Sequence, residues 1–186
     1  MPYHTNEIER ILIPDFEIEE KVALLGREIK RDYAGVTRPL LMIGVLRGSF
    51  IFLADLARAV DLPVEIEFVA LSSYGAGTES SGDVRVTKDL DVSIEGRDVL
   101  IVEDIIDTGI TLSFLKKMLA ARNSASLKLC ALLDKPSRRK VEMKADYTGF
   151  TVPDEFLVGY GLDWDGRYRN LRDVCVLNRV GCATDN

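Results

Sequence analysis

An α/β domain with a mainly parallel sheet is predicted by three features of the sequence. The continuous apolar run Leu40–Leu46 suits a strand covered on both faces, and Asp98–Val102 and Leu127–Leu133 read as further strands. Stretches with helical apolar spacing lie between them. Two connections share one plan: strand, the turn Arg47-Gly48-Ser49, helix; and strand, the turn Asp107-Thr108-Gly109, helix.

In chain order, the first 20 residues are acid-rich and lack an apolar signal core. From Phe16 to Tyr33, the residues Ile18, Val22, Leu25 and Ile29 recur at steps of four, three and four, a helical stripe that Gly35 ends. The run Leu40–Leu46 is a strand, and Phe50–Val60 a helix. Val64–Leu71 alternates like a strand. Ser72–Asp83, rich in Gly and Ser, reads as a mobile loop or hairpin tip, with VRVTKDL as its return strand. Strand Asp98–Val102, helix Thr111–Arg122 and strand Leu127–Leu133 follow, and EFLVGYGL and DVCVL supply two late strands. There is no repeat, low-complexity tract or linker, and 186 residues suit one domain.

The formal net charge of -6 disfavours a general nucleic-acid binder. The longest apolar run, Leu40–Leu46, is too short to span a bilayer, so no membrane association and a cytoplasmic location are expected. Cys130, Cys175 and Cys182 form no C-x-x-C pair, and the first two read as buried thiols. The single histidine, His4, lies in a polar terminal segment, so acid/base chemistry falls to carboxylates or lysines.

In a parallel sheet both turns lie at the carboxyl edge, where ligands bind, and each helix start offers unpaired N–H groups to an anion. The second turn is nevertheless lined by Glu103, Asp104 and Asp107. The usual phosphate motifs fail: after Gly77–Gly82 come Asp83 and Val84 where Lys and Ser/Thr are needed, and Ser80 breaks G-x-G-x-x-G. A bare phosphate about 4 Å from an acid costs on the order of 4 kcal/mol at an effective dielectric of about 20. A helix end returns at most about 2 kcal/mol. Acids and helix end therefore suit different parts of one ligand: phosphate on the turn from Asp107 to Thr111, hydroxyls or a divalent cation on the acids. A sugar phosphate with Mg²⁺ meets both demands. The plainer reading makes Glu103 and Asp104 solvated acids and Asp107 a helix N-cap.

The stretch VLIVEDIIDTGITL resembles the phosphoribosyl-pyrophosphate motif of the type I phosphoribosyltransferases. LRGSFIFLADL, SSYG, LLDKPSRR and FLVGYGLDWDGRYRNL, in this order, are similar to hypoxanthine-guanine phosphoribosyltransferases over nearly the whole chain. The resemblance implies a core at about residues 37–135 and a small hood from the terminal segments. It implies Mg²⁺-dependent transfer of phosphoribosyl to hypoxanthine or guanine, giving IMP or GMP and diphosphate, in purine salvage.

By the same resemblance, Asp107, Thr108, Gly109, Ile110 and Thr111 hold the 5-phosphate. Glu103 and Asp104 hold the ribose hydroxyls and one Mg²⁺. Asp107 is the general base toward the purine N7, more effective once the site closes over it. Arg47 and Gly48 bind pyrophosphate, after a cis peptide at Leu46-Arg47; many relatives have Lys where this chain has Arg47. Lys135 donates to the purine 6-oxo group, Phe156 stacks on the base and the main chain of Leu157 reads its edge. Asp163 anchors a second Mg²⁺ and Arg169 contacts pyrophosphate. Trp164 stands where relatives often have Tyr. Ser72–Asp83 is the lid, closing with Ser73 and Tyr74 over the phosphates to exclude water.

Two other functions compete. A regulator of the same fold that senses phosphoribosyl pyrophosphate would be expected to show a basic face or an added DNA-binding domain. A Mg²⁺-dependent phosphohydrolase would use the three acids but leave Lys135, Phe156 and the first anion turn without a task. A xanthine-preferring transferase stays open, and a homodimer or homotetramer is implied.

Overall fold

The computed structural model describes residues 7–73 and 84–178. The elements run β1 (Ile8–Ile13), α1 (Asp15–Asp32), β2 (Leu40–Leu46), α2 (Phe50–Val60), β3 (Val64–Ser73), β4 (Val84–Lys88) and β5 (Asp98–Ile106). There follow α3 (Ile110–Ala120), β6 (Ser126–Asp134), β7 (Tyr147–Thr151), β8 (Leu157–Val158) and β9 (Val174–Leu177).

Six strands form one sheet in the order β4-β3-β2-β5-β6-β7. All neighbours are parallel except β3 and β4, which run antiparallel. The unbroken apolar runs are explained by cover on both faces. In β2, Leu40 and Met42 join one core cluster while Leu41, Ile43 and Val45 join the other; in β5, Leu100 and Val102 oppose Val99 and Ile101. Period-two alternation thus persists, with apolar residues on both sides. The α1 stripe (Ile18, Val22, Leu25, Ile29) and the α2 residues Phe52, Leu53 and Leu56 fill the first cluster. Leu112, Leu115 and Leu119 of α3 fill the second.

The two helices of the first face touch closely at Gly26. A Cβ there would lie 2.8 Å from the Ala59 Cβ and 2.6 Å from its carbonyl carbon. Gly26→Ala is expected to lower stability by about 1–3 kcal/mol, because α2 backbone cannot yield as a side-chain tip does. Urea unfolding with the slope unchanged checks this.

A second, antiparallel sheet, β1-β9-β8, joins the two ends of the described chain. β1 is absent from the sequence reading because its exposure does not alternate; only Ile13 is buried. β7 is absent too, being five residues with Gly149 at its centre. The reading of EFLVGYGL as one strand needs correction: only Leu157–Val158 form a strand, because Gly159, Tyr160 and Gly161 all take positive φ (95°, 48° and 100°). β5 runs to Ile106 rather than Val102, so Glu103 and Asp104 lie inside the strand. Cys130 and Cys175 are buried thiols. No helix among the described residues is long and apolar enough to cross a membrane.

Candidate active site

A cleft of about 1020 Å³ opens between the carboxyl ends of β2, β5 and β6 and the three-stranded sheet. On the side of the large sheet, Arg47, Gly48, Asp107 and Lys135 lie where the chain has just left a strand.

At one end lie Arg47 and Gly48. The Leu46-Arg47 peptide is cis. Ser49 Oγ donates to Val45 O at 2.7 Å, closing the turn. Gly48 packs against the Asp104 carboxylate, and Gly161 against the Gly48 carbonyl, each so closely that a Cβ would overlap its neighbour.

Consecutive residues of a strand leave it on opposite faces. Accordingly Asp104 lines the cleft, whereas Glu103 does not. Asp104 Oδ1 accepts the Ile105 N–H at 2.9 Å. Burial pushes the Asp104 carboxyl up from 3.8 to about 6, against that hydrogen bond. Glu103 is raised well above its ordinary value, by burial first and then by the Asp104 charge. Its Oε2 is buried without a hydrogen-bond partner. A buried carboxylate oxygen that lacks a partner suits a hard divalent cation or a hydroxyl. No cluster of three or more His, Cys, Asp or Glu able to hold a metal occurs among the described residues.

The raised Asp104 carboxyl has a thermal consequence. The folded state binds this proton more tightly than the unfolded chain, so its contribution is full below about 4 and is lost as pH rises through about 6. Asp104→Asn cannot ionise. Without Mg²⁺ or substrate, its Tm relative to the parent is expected to rise between pH 4 and 6 and then level off. Scanning calorimetry of both proteins across this range checks the sign.

The Asp107–Thr111 turn is braced from behind. Arg139 Nη1 donates to Asp107 O at 2.6 Å and its other branch pairs with Asp134. The Lys140 N–H donates to Thr108 O at 3.0 Å. The Asp107 side chain lines the cleft, with Arg138 Nε 3.0 Å from its Oδ1 but too poorly aligned for a hydrogen bond. The N-cap reading of Asp107 is corrected: the cap of α3 is Gly109, at φ 80°, and the Ile110 N–H leans on Thr108 Oγ1 at 3.4 Å.

At the other end, Lys135 follows β6 with its side chain 8% exposed, Nζ donating to Glu155 O at 2.8 Å. Phe156 lines the cleft, and Trp164 meets it edge-on, centroids 5.0 Å apart at 88°. The Trp in place of Tyr therefore supports the Phe156 ring. Leu157 lies beside it on β8. Asp163 is ion-paired with Arg169 Nη2 at 2.7 Å and accepts the Gly166 N–H at 2.8 Å, while Arg169 Nη1 donates to Gly161 O at 2.6 Å.

Of the residues singled out from sequence, Arg47, Gly48, Asp104, Asp107, Lys135, Phe156, Leu157, Asp163 and Arg169 line this one cleft. Glu103, Thr108, Gly109, Ile110 and Thr111 adjoin it without lining it. Ser73 ends β3, with its side chain outside the described residues, and Tyr74 and the rest of the expected lid to Asp83 also lie outside them. Sequence reasoning missed Arg10, Arg138 and Glu155, which also line the cleft. The one signal for Arg138 was the basic pair following Pro136-Ser137.

A family model described as a phosphoribosyl transferase domain matches residues 16–165. A Bacillus subtilis hypoxanthine-guanine phosphoribosyltransferase is 52% identical over 172 residues, 92% of this chain and 94% of that one. The bifunctional protein TilS/HprT of Listeria monocytogenes is also 52% identical over 92% of this chain, which spans only about a quarter of that protein's length (26%). Among solved structures, a Staphylococcus aureus hypoxanthine phosphoribosyltransferase superposes with a TM-score of 0.90 at 42% identity, covering 97% of this chain and 96% of that one.

Proposed function

The chain belongs to the phosphoribosyl transferase family, and from that premise we propose a purine-salvage enzyme. It transfers phosphoribosyl from 5-phospho-α-D-ribose 1-diphosphate to hypoxanthine, guanine or both, giving IMP or GMP and diphosphate. The observation that carries this reading is one cleft with a buried ammonium and an aromatic ring at one end, arginines at the other and Asp107 on the wall.

In this reaction the purine N9 attacks C1 of the ribose as the bond from C1 to the diphosphate oxygen breaks. Asp107 takes the N7 proton. Lys135 donates to the 6-oxo group, which an amino group cannot accept, so adenine is disfavoured. Phe156 stacks on the base and the Leu157 main chain reads its edge. The turn from Asp107 through Thr108, Gly109 and Ile110 to Thr111 holds the 5-phosphate on outward N–H groups. Arg47, Gly48 and Arg169 hold the diphosphate, with Ser73 and Tyr74 covering it. Glu103 and Asp104 would hold the ribose hydroxyls and one Mg²⁺, and Asp163 a second. Bound there, Mg²⁺ would neutralise charge on the departing diphosphate. The protein acts in the cytoplasm as a homodimer or homotetramer, which light scattering measures directly.

The test is incubation with Mg²⁺, phosphoribosyl pyrophosphate and each of hypoxanthine, guanine, xanthine, adenine and uracil, with nucleotide and pyrophosphate measured. Nucleotide from 6-oxopurines, with little from adenine or uracil, is expected. No nucleotide from any base would remove the proposal.

A further inference from the structure

We propose that Arg10 is a positioning residue of the base pocket, acting through Glu155 on Lys135. The inference rests on the function proposed above and adds a residue that the phosphoribosyl-pyrophosphate motif does not contain.

Three contacts form a chain. Lys135 Nζ donates to the main-chain oxygen of Glu155 at 2.8 Å. The Glu155 carboxylate in turn takes Arg10 Nη2 on both oxygens, at 2.7 and 2.5 Å. Arg10 is itself seated by the pairing of β1 with β9, opposite Val176. Arg10 and Glu155 both line the cleft.

The geometry gives Arg10 two effects of the same sign. Residues 152–156 bridge the end of β7 and the start of β8, and the Arg10 pair ties this bridge to a strand 145 residues earlier in the chain. An ammonium has three donors, so fixing one on the Glu155 carbonyl directs the other two. Arg10 also occupies the Glu155 carboxylate. Released, that acid would compete with a 6-oxo group for the Lys135 ammonium, which already has the Asp154 carboxylate 3.9 Å away. Since Arg10 is 43% and Glu155 31% exposed, the effect is modest rather than decisive.

The experiment is steady-state kinetics on the whole chain with hypoxanthine and phosphoribosyl pyrophosphate as varied substrates. Arg10→Met is expected to raise KM for hypoxanthine by roughly threefold to tenfold, with kcat and KM for phosphoribosyl pyrophosphate within about twofold of the parent. Arg10→Lys recovers part of the loss. Arg10→Met with Glu155→Gln is no worse than the poorer single variant. In a Lys135→Met background, Arg10→Met changes nothing further. An unchanged hypoxanthine KM, an equal rise for both substrates, or the same rise in the Lys135→Met background would overturn the role of Arg10. Failure of the underlying function shows separately, as a parent protein that forms no nucleotide.

Discussion

Asp107→Asn is expected to lower turnover with hypoxanthine by roughly 10²- to 10⁴-fold, the range of general-base catalysis, while KM for phosphoribosyl pyrophosphate stays within a few-fold of the parent. The split follows from what each part of Asp107 does. Its main-chain oxygen is the brace point of the turn, held by Arg139 at 2.6 Å. Asparagine keeps that oxygen and the backbone N–H groups behind it. The side chain neither caps α3 nor has a hydrogen-bond partner at Oδ1, so its replacement removes no hydrogen bond there and only the half-exposed ion pair with Arg138. What is lost is a carboxylate in the cleft, with the Arg138 guanidinium 3.0 Å away. Steady-state kinetics with both substrates varied measures both quantities. Turnover within about threefold of the parent would eliminate Asp107 as the base. A collapse of phosphoribosyl-pyrophosphate affinity at preserved turnover would instead make it a phosphate-holding residue.

The sheet was legible from sequence where local pattern and tertiary environment agree. β2 and α2 match the sequence reading to the residue, because an apolar run between Pro39 and Arg47 has only one way to be buried in a parallel sheet. Asp104, Asp107 and Arg47 were legible as cleft residues because the carboxyl ends of such strands, with the turns after them, form the edge where a cleft opens. What depends on distant partners was not. β1 is held by β9 from the far end of the chain, and nothing in IERILI announces that pairing. Phe156 reads as core until Trp164 and the cleft are placed around it. Arg10 and Glu155 look like ordinary surface charges, and only the juxtaposition of two strand systems makes them neighbours. The N-cap reading of Asp107 misled because an acid shortly before a helix is a common cap. Here Gly109 in the left-handed region starts α3 and leaves the carboxylate to the cleft.

Gly48→Ala is expected to cost roughly 100-fold in kcat/KM for phosphoribosyl pyrophosphate, the scale that about 1 Å of misplacement carries in a preorganised site. The argument is steric and local. A methyl group at position 48 would occupy the space of the Asp104 carboxylate. Asp104 cannot simply turn away, since its Oδ1 is held by the Ile105 N–H at 2.9 Å and its backbone lies inside β5. Nor can the turn retreat, because Ser49 ties it to Val45 and Gly161 presses on the Gly48 carbonyl. Either movement separates the diphosphate end from the acid that would hold metal and ribose. Hypoxanthine KM should change far less, because Lys135 and Phe156 sit on other elements. Gly35→Ala is the control: a Cβ there meets nothing within 4 Å, so kinetics and stability should stay at parental values. Parental kcat/KM in Gly48→Ala would mean that the close approach of Gly48 to Asp104 has no part in substrate binding.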